Sequence, residues 1–342
     1  VSELYYPEET STGYYMTRIA EALVDDFEVK VICGQPNYSK KGTTAPKREI
    51  HKNVEIFRAS GTRLDKNVIP FRLINMLTHG IAVLGGGLKR FRKGDRILVV
   101  TTPPSLPLIV TFASLFRGAS YTLLIHDNYP ELAIASGKMK DSSLAAKLTR
   151  FLNQWTYKYA AKIIVVGRDM QNLLKKKTRG LYIPVTFIPN WAELDAVSPT
   201  PRDDNKLLRK LGLSDKFVFL YAGNMGYPND VESIVECASQ LSEDRRIHFL
   251  FLGTGAKRKW LEDSVYERKL ENITLLDPRP REDQQEFLNA CDVAIVSLVD
   301  GMLGVSMPSR TYNALAAGKP ILAIADSDSE VAMVVNEEQV GW

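Results

Sequence analysis

The residues best suited to bind an anion lie near the end of the chain. There, the glycine-containing loop 300–306 leads into a predicted helix that has Pro308 in its first turn, carries Arg310 and ends at Gly318. Proline is tolerated in a first helical turn, and glycine commonly ends a helix. Backbone amides and the positive end of a helix dipole favour phosphate, and arginine adds a fork-shaped donor. The pattern predicts a phosphate site at Arg310, although an ordinary loop-helix-strand connection also has glycine and proline at these positions.

A second candidate is a histidine at the end of an apolar run in the first half. His126 follows residues 121–125, and Asp127 and Glu131 come after it. Ligands of parallel α/β sheets bind outside the carboxyl ends of the strands, so this position favours a binding role. A lone histidine is also common in protein interiors, and Glu131 after Pro130 can simply favour a helix start.

Strand-like and helix-like segments alternate along the whole chain and would position these residues. Such alternation predicts an α/β fold with parallel sheets that are covered by helices. The predicted strands are residues 28–33, 54–57, 96–101, 121–126, 162–166, 185–188, 217–222, 247–252, 273–276, 293–298 and 321–324. The predicted helices of the second half are residues 230–241, 257–268 and 282–290, and Met16, Ile19, Ala20 and Leu23 mark a helix in the first.

The chain is long enough for two such domains. It has 342 residues, of which 45% are hydrophobic, and these can supply two cores. Residues 193–214, with prolines in 198–204, are the best linker, so we predict an N-terminal domain at 1–195 and a C-terminal domain at 196–342. Two doubly wound, Rossmann-like domains facing each other would form a cleft at their strand ends. Both chain ends look cut, because Val1-Ser2 is typical of a strand end and Gly341-Trp342 stops where a further turn and helix would be expected.

Composition argues against several kinds of site. The three cysteines and four histidines are scattered, so they give no zinc-ligand spacing, and the cysteines indicate buried thiols in a reducing compartment. No apolar run is long enough to cross a bilayer, and no signal peptide is visible. Asp326 and Asp328 follow a strand, but no second ligand group accompanies them, and we interpret them as a helix cap. We therefore expect neither a metal nor another cofactor.

Charge is divided unevenly between the halves. Up to Asn190 the chain has 28 Lys and Arg against 15 Asp and Glu, a balance of +13, and the remainder has 16 against 25, a balance of −9. A basic half indicates an anionic partner. Nucleic acid is not favoured, because the sequence has no zinc finger, aromatic RNA-binding signature or basic low-complexity arm.

An anionic membrane surface is the other candidate partner. Residues 70–93 mix apolar and basic side chains as a basic amphipathic helix does, although Gly85, Gly86 and Gly87 would break or bend it. A buried helix with a solvated basic end fits the same pattern. The apolar members are Phe71, Leu73, Ile74, Leu77, Ile81, Val83, Leu84, Leu88 and Phe91, and the basic members are Arg72, Lys89, Arg90, Arg92 and Lys93.

Six short motifs occur in order along nearly the whole chain. They are Tyr6-Pro7 with Thr12-Gly13, then His126 to Glu131, Ile188 to Trp191, Tyr221 to Gly226, Phe251 to Gly255, and Pro308 to Pro320. Together they resemble the retaining GT-B glycosyltransferases of family 4, especially the bacterial exopolysaccharide and O-antigen branch with its N-acetylfucosaminyltransferase-like enzymes. Each motif alone is weak, but their shared order makes coincidence a poor explanation. The resemblance implies a GT-B architecture whose second domain binds a nucleotide-sugar.

The resemblance also implies a donor site in the loops that follow the strands of the second half. Residues 223–226 would approach the diphosphate, residues 253–255 and 277–280 would hold the base and ribose, and Arg310 would bind phosphate. The corresponding structural interpretations are a tight turn, ordinary βα loops and a surface salt bridge. The implied donor-binding residues are Gly13, Gly223, Asn224, Gly226, Gly253, Arg279, Leu303, Gly304, Val305, Ser306, Ser309, Arg310 and Asn313.

Two departures from the family pattern bear on this site. Many relatives carry an arginine and a lysine where Asn224 and Asn229 stand, and two glutamates where Val305 and Asn313 stand. Arg310 can compensate for lost positive charge, and Asn313 can still hydrogen-bond a ribose hydroxyl. We expect backbone amides of residues 303–306 to replace the missing contact to the donor sugar.

In the first half the resemblance makes His126 the catalytic contact to the transferred sugar. Thr12, Thr102, Asp127 and Glu131 are implied on the acceptor side. Asp127 and Glu131 could orient His126 or bind the acceptor. Gly13, next to Thr12 at a predicted helix start, could meet the diphosphate.

We therefore expect transfer of a sugar from a UDP-linked donor, with retention of anomeric configuration, in surface polysaccharide biosynthesis. The acceptor would be polyprenyl-diphosphate-linked or another glycan, at the cytoplasmic face of an anionic membrane to which the protein binds peripherally. Oriented amides, helix starts and Arg310 would stabilise the departing diphosphate without a metal. A non-hydrolysing UDP-sugar epimerase and a non-catalytic sugar-nucleotide-binding subunit remain alternatives. A dinucleotide oxidoreductase is not favoured, because no Gly-x-Gly-x-x-Gly follows a first strand.

Overall fold

The chain forms two compact units that divide near the middle of the sequence. The computed structural model describes residues 1–36, 44–62, 64 and 69–342, without the side chains at 69, 70, 72 and 73. Unit 1 is Val1–Pro130 with Asp141–Ile188, and unit 2 is Glu131–Lys140 with Pro189–Trp342. The short segment Glu131–Lys140 therefore belongs to the second unit, which sequence pattern does not indicate.

Helices and strands alternate within each unit. In chain order they are α1 (Ser11–Ala22), β1 (Lys30–Cys33), β2 (Arg48–His51), β3 (Val54–Arg58), α2 (Ile69–Arg90), β4 (Arg96–Val100), α3 (Leu106–Arg117), β5 (Ser120–Ile125), α4 (Glu131–Ala135), α5 (Leu144–Tyr159), β6 (Lys162–Val165), α6 (Arg168–Lys177), β7 (Val185–Phe187), α7 (Lys206–Leu211), β8 (Phe217–Ala222), α8 (Glu232–Gln240), β9 (Ile247–Leu252), α9 (Arg258–Glu267), β10 (Ile273–Leu276), α10 (Gln284–Leu288), β11 (Val293–Ser297), α11 (Arg310–Ala316), β12 (Ile321–Ile324) and α12 (Glu330–Glu337).

Unit 1 contains a sheet in the order β1-β3-β2 and a parallel sheet in the order β4-β5-β6-β7. Residues 1–3 connect the two sheets. Ser2 donates its N–H to the Ile32 carbonyl at 3.1 Å, and the Val1 carbonyl accepts from the Val100 N–H at 3.3 Å. The first residues of the chain therefore lie between β1 and β4.

Unit 2 is a parallel sheet in the order β10-β9-β8-β11-β12. Its strands are nearly continuous apolar runs, which is typical of parallel strands covered on both faces. Tyr221, Phe249 and Phe251 form part of its buried core. Ala222 pairs with Leu252, and Leu252 pairs with Leu276, so β8, β9 and β10 end in register. The loops that follow these strands therefore begin side by side at one edge.

Several elements differ from the sequence-based expectation. β2 was not expected, and it pairs antiparallel with β3 through a turn in which Lys52 and Asn53 both have positive φ. The predicted helix 282–290 is a 3-10 turn followed by α10. The expected linker is instead fixed to unit 2, because Ser198 N–H donates to Gln285 Oε1 at 2.9 Å and Thr200 N–H donates to Asn289 Oδ1 at 3.0 Å. Cys33 and Cys291 are buried as expected, but Cys237 is exposed.

The predicted helix 70–93 is confirmed as α2, but its three glycines do not break it. Gly87, the last of the three, and Gly80 instead allow close packing. A methyl group on Gly87 would lie 3.0 Å from Ala113 Cβ, and one on Gly80 would lie 2.7 Å from Ile109 Cδ1. Both contacts are to α3. The predicted contributions of Arg72 and Leu73 lie outside the described side chains.

Among the residues that the structure describes, no helix is long and apolar enough to cross a membrane.

Candidate functional site

Arg310 is the centre of the candidate site in unit 2. It is the first residue of α11, and its Cζ lies 4.5 Å from the ring centroid of Tyr221 at the end of β8. A methyl group on Gly223 would lie 3.4 Å from the same Cζ. Arg310 Nη1 is buried and has no hydrogen-bond partner in the described part of the chain. A buried guanidinium N–H without an acceptor is costly, and a phosphate oxygen beside Gly223 would satisfy it.

Asn229 fixes the orientation of Arg310. Asn229 Oδ1 accepts from Arg310 Nη2 at 2.8 Å, and Asn229 Nδ2 donates to the Asn224 carbonyl at 3.1 Å. The Tyr221 hydroxyl donates to that same carbonyl at 2.8 Å. A position that carries a lysine in many proteins of the resembled family therefore positions the arginine here. Sequence pattern did not assign this role to Asn229 or to Tyr221, because both depend on contacts across loops.

The glycine loops after β8 and β9 touch backbone to backbone. Gly223 donates its N–H to the Leu252 carbonyl, and Met225 donates its N–H to the Thr254 carbonyl, each at 2.8 Å. A Cβ on Gly253, whose φ is +142°, would lie 2.1 Å from the Gly223 carbonyl oxygen. A side chain at position 253 is therefore excluded both by space and by conformation.

We expect Gly253→Ala to lower the free energy of unfolding by about 2–4 kcal/mol, because the methyl group must displace the Gly223 backbone. Urea denaturation measures the loss. The matched control is Gly85→Ala in α2, where no heavy atom lies within 4 Å of the added methyl group. That change should be neutral or stabilise by up to about 1 kcal/mol. A Gly253→Ala protein as stable as the wild type would contradict the contact between the two loops.

The loop 300–306 follows β11, and one of its backbone amides is hydrogen-bonded within the loop. Val305 donates its N–H to the Met302 carbonyl at 3.0 Å, so this amide is not left for the donor-sugar contact that was expected of it. The Val305 side chain is buried, whereas Leu303 is exposed and Ser306 is half-buried. Gly304 has positive φ, as the turn requires. The predicted helix start is also shifted, because Pro308 and Ser309 precede α11.

Two other predicted donor residues differ in their availability. Asn313 Oδ1 is buried and has no hydrogen-bond partner among the described residues. Asn313 lies three residues after Arg310 on α11, which places both on one face of the helix. Arg279 is instead paired twice, since its Nε lies 2.9 Å from Asp283 Oδ2 and its Nη2 lies 2.7 Å from Glu286 Oε2. The Asn313 side chain therefore has an acceptor to offer, and the Arg279 side chain is held by acidic neighbours.

Three further residues complete this edge of unit 2. Asn224 is exposed and Gly226 is buried; a methyl group on Gly226 would lie 2.8 Å from Asn224 Nδ2. Arg258, which sequence pattern did not single out, donates to the Gly253 and Leu276 carbonyls at 3.2 and 2.9 Å. It thereby ties together the ends of β9 and β10.

In unit 1, Thr101 organises the backbone of the predicted catalytic segment. Thr101 Oγ1 accepts from the N–H groups of His126 and Asp127 at 3.2 and 3.3 Å. The His126 ring lies edge-on to Tyr15, with 6.5 Å between ring centroids. Asp127 lines a cavity of about 20 Å³, which is room for one water molecule. The structure thus places His126 and Asp127 together after β5, where Thr101, the neighbour of the predicted acceptor-side residue Thr102, holds their backbone.

Burial moves the pKa values of both side chains in opposite directions. It lowers the pKa of His126 to about 4 and raises the pKa of Asp127 to about 6. Burial disfavours the charged form, which is the imidazolium for one group and the carboxylate for the other. His126 is therefore a neutral imidazole at pH 7, able to donate or accept a hydrogen bond without adding charge.

We expect Asp127→Asn to remove a pH-dependent loss of stability. Because the folded pKa of Asp127 is raised from 3.8 to about 6, its protonated form stabilises the fold fully below pH 3.8, and this stability is lost as pH rises through 6. The loss should reach about 3 kcal/mol. Urea denaturation at several pH values should show that, between pH 4 and 7, the free energy of unfolding of wild type falls relative to that of the variant. Asp277→Asn, at a fully exposed side chain, is the control. If the unfolding free energies of Asp127→Asn and wild type depended equally on pH, the burial of Asp127 would be contradicted.

The other predicted residues of the first half include Gly13, expected to bind the donor, and Thr12 and Glu131, expected on the acceptor side. Gly13 donates its N–H to Thr10 Oγ1 at 3.3 Å, so its amide caps α1 and is not left for a diphosphate. Thr12, beside it, is half-buried. Glu131 begins α4 in unit 2, where Ala135 lies beside Gly301 of the loop after β11. Glu131 therefore belongs to a different unit from His126.

The acidic residues after β12 also differ from expectation. The residue that caps α12 is Ser329, whose side chain accepts from the Ala332 N–H, and not Asp326 or Asp328. No group of three or more His, Cys, Asp or Glu residues that could hold a metal ion occurs in the described part of the chain.

Comparison with known proteins supports the coarser part of the prediction, a glycosyltransferase. The family model for glycosyl transferases group 1 matches residues 203–342. The probable glycosyltransferase WbjE of Pseudomonas aeruginosa is 32% identical over 100% of this chain and 84% of its own length. WcaI of Escherichia coli K12, whose name assigns it to colanic acid biosynthesis as a glycosyl transferase, is 26% identical over 96% of this chain and 83% of its own length.

Two solved structures share the fold. Sucrose-phosphate synthase of Thermosynechococcus elongatus has a TM-score of 0.72 at 17% identity, and covers 96% of this chain and 79% of its own. Anabaena HepE in complex with UDP and glucose has a TM-score of 0.67 at 14% identity, and covers 98% of this chain and 88% of its own. The expected α/β fold of GT-B type, with two Rossmann-like domains, is confirmed.

Proposed function

We propose that this chain, which belongs to the glycosyl transferases of group 1, moves a sugar from a UDP-linked donor to an acceptor with retention of anomeric configuration. Membership of the family makes it a glycosyltransferase. Retention and assignment to the family 4 branch rest on the motif resemblance. The acceptor we propose is a polyprenyl-diphosphate-linked glycan in surface polysaccharide biosynthesis, since the relative WcaI is named for a polysaccharide.

The observation that carries the donor site is the buried Nη1 of Arg310 beside Gly223. Arg310 Nη1 is a cationic donor without a partner among the described residues, and Gly223 beside it has no side chain that would exclude a phosphate. Asn229 and Tyr221 hold the guanidinium in place before any ligand binds. Preorganised donors stabilise developing charge without reorganisation, which is the requirement for a leaving diphosphate. UDP is the donor nucleotide that we infer, and the fold relative HepE was solved with UDP and glucose.

The proposed reaction breaks the bond between the anomeric carbon and the β-phosphate oxygen of the donor. The acceptor hydroxyl oxygen bonds to that carbon, and its proton leaves to the departing diphosphate. Negative charge grows on the diphosphate as this bond breaks, so Arg310 stabilises the transition state more than the bound donor. No step requires a metal ion.

His126 is the residue of unit 1 that we assign to turnover. As a neutral imidazole it can hydrogen-bond a sugar hydroxyl, and it adds no positive charge that would oppose the oxocarbenium-like centre. Asp127, with its raised pKa, is assigned to the acceptor side.

Calorimetric titration with a panel of UDP-, GDP- and dTDP-sugars in the presence of EDTA tests the donor assignment. We expect a UDP-sugar to bind most tightly and EDTA to leave its affinity unchanged. Tighter binding of a GDP- or dTDP-sugar would overturn the choice of base. Loss of binding with EDTA would overturn the metal-independent mechanism.

A further inference from the structure

The helix α5 presents its apolar side to solvent. Its exposed apolar and aromatic residues recur at helical spacing, so they lie along one line on the helix surface. They are Leu144, Leu148, Phe151 and Tyr159, with the half-buried Trp155 between the last two. Its buried residues, Ala146, Thr156 and Tyr157, lie on the other side. An amphipathic helix on a soluble core has the reverse arrangement.

The neighbouring helix α3 extends the same apolar surface. Phe112 of α3 lies 4.7 Å from Trp155 between ring centroids, and Trp155 lies 5.4 Å from Tyr159. Phe116 follows Phe112 by one turn and is 79% exposed. Leu144 and Phe151 of α5 are 81% and 69% exposed. We call the residues Phe112, Phe116, Leu144, Leu148, Phe151, Trp155 and Tyr159 the aromatic ridge.

Charge identifies the partner that this ridge suits. Neither α3 nor α5 contains an aspartate or a glutamate, whereas together they carry Arg117, Lys147, Arg150 and Lys158. Lys147 and Lys158 are exposed and lie beside the ridge on α5, and the Lys158 Nζ is 5.5 Å from the Tyr159 ring. Arg150 is paired with Asp141, which precedes α5. Aromatic side chains flanked by lysine, on helices that contain no carboxylate, suit the headgroup region of an anionic bilayer.

The helix α2, for which sequence pattern suggested this role, is less suited to it. Its exposed apolar residues, among them Leu77 and Ile81, lie two turns or more from Lys89 and Arg90 in its last turn. Arg90 is also engaged, because its Cζ lies 3.8 Å from the Phe57 ring centroid.

We propose that the aromatic ridge of α3 and α5 inserts into the interface of an anionic lipid bilayer. The inference rests on the proposed function in one respect, since a lipid-linked acceptor explains why the enzyme needs this surface. It assigns the ridge to insertion, and Lys147 and Lys158 to anionic headgroups. Binding should weaken with salt, because the electrostatic part is screened.

Vesicle sedimentation of the full chain tests the proposal. Wild type should bind vesicles of phosphatidylglycerol with phosphatidylcholine, and bind pure phosphatidylcholine much less. The double variant Phe116→Ser, Phe151→Ser and the charge reversal Lys147→Glu, Lys158→Glu should each lower the partition coefficient at least about tenfold. The four substituted residues are exposed, so the melting temperature should change little in either double variant. Tyr266→Ser on α9, at an equally exposed aromatic residue of unit 2, is the control and should bind as wild type.

UDP titration of the same proteins separates this proposal from the proposed function. Unchanged UDP affinity with lost vesicle binding supports the ridge as a membrane surface. Vesicle binding that survives both double variants would overturn the proposal, whatever the UDP affinity. A wild-type dimer that the Phe116→Ser, Phe151→Ser change converts to monomer, with no vesicle binding by wild type, would also overturn it and make the ridge an interface between copies.

Discussion

Arg310→Ala is expected to weaken UDP binding by about ten- to a hundredfold, the equivalent of a charge-assisted hydrogen bond of about 1.5–3 kcal/mol. The reason is that Nη1 of Arg310 is buried beside Gly223 with no acceptor among the described residues, and a phosphate oxygen is the partner that we assign to it. The UDP affinity of Arg310→Lys should lie between those of wild type and Arg310→Ala. Lysine keeps the positive charge, but it lacks the forked guanidinium and its hydrogen bond to Asn229. Isothermal calorimetry with UDP measures all three proteins.

Arg246→Ala provides the matched control for this experiment. Arg246 precedes β9, so it lies at the amino end of the same sheet, and its side chain is 86% exposed and paired with Asp244. Removing it changes the net charge as Arg310→Ala does, and UDP affinity should stay as in wild type. Equal affinity of Arg310→Ala and Arg246→Ala would remove Arg310 from the donor site.

His126→Ala should reduce turnover far more than it reduces UDP binding. We expect kcat to fall about ten- to a hundredfold, because a hydrogen bond to the reacting sugar is lost, and the affinity for UDP to change less than about threefold. Steady-state kinetics with a UDP-sugar, combined with UDP titration, measures the two effects. The neutral state of His126 at pH 7 also predicts that no acid limb of the rate between pH 5 and 8 arises from this residue.

A second variant separates a role in turnover from a role in the fold. His126→Gln keeps a hydrogen-bonding group, and it should recover part of the rate. The thermal stability of both variants should remain near that of wild type, since no side-chain hydrogen bond from His126 is present among the described residues. A wild-type rate in a stably folded His126→Ala protein would return the histidine to a structural role.

Much of the unit 2 sheet could be predicted from sequence. The predicted strands at 217–222, 247–252, 273–276 and 321–324 agree with β8, β9, β10 and β12 to the residue. Each is a mainly apolar run, and Gly223, Gly253 and Asp277 follow the first three directly, which is a strong local signal for a buried parallel strand. β2 lacks that signal, since Arg48, Glu49, Ile50 and His51 are exposed or half-buried and pair only at a sheet edge.

The finer geometry of the site could be predicted only in part. Arg310 was identified from its place at a helix start, but its orientation depends on Asn229 and Tyr221, which are 81 and 89 positions away in sequence. The amides of Gly13 and Val305 were expected to meet ligand, but they donate to Thr10 Oγ1 and to the Met302 carbonyl, each three positions earlier in the chain. Local patterns report which groups can bind, whereas folding decides which of them are already paired.

The exposure of the aromatic ridge could not be predicted from sequence either. The apolar spacing on α5 is typical of a helix that packs on a core, and from sequence alone this face would be placed inside. In the structure Leu144 and Phe151 are exposed instead. The sequence-based sign of an anionic partner was the basic balance of the first half as a whole.

The central claim, transfer of a sugar from a UDP-sugar donor to a lipid-linked acceptor, is tested most directly by a transfer assay. Each sugar of a UDP-sugar panel, labelled in the sugar, is incubated with the protein, a polyprenyl-diphosphate-linked acceptor and EDTA. We predict labelled lipid and free UDP in equal amounts from one donor, with the anomeric configuration of that donor retained in the product by NMR. Conversion of one UDP-sugar into another without acceptor, or binding of every donor without release of UDP, would contradict the account.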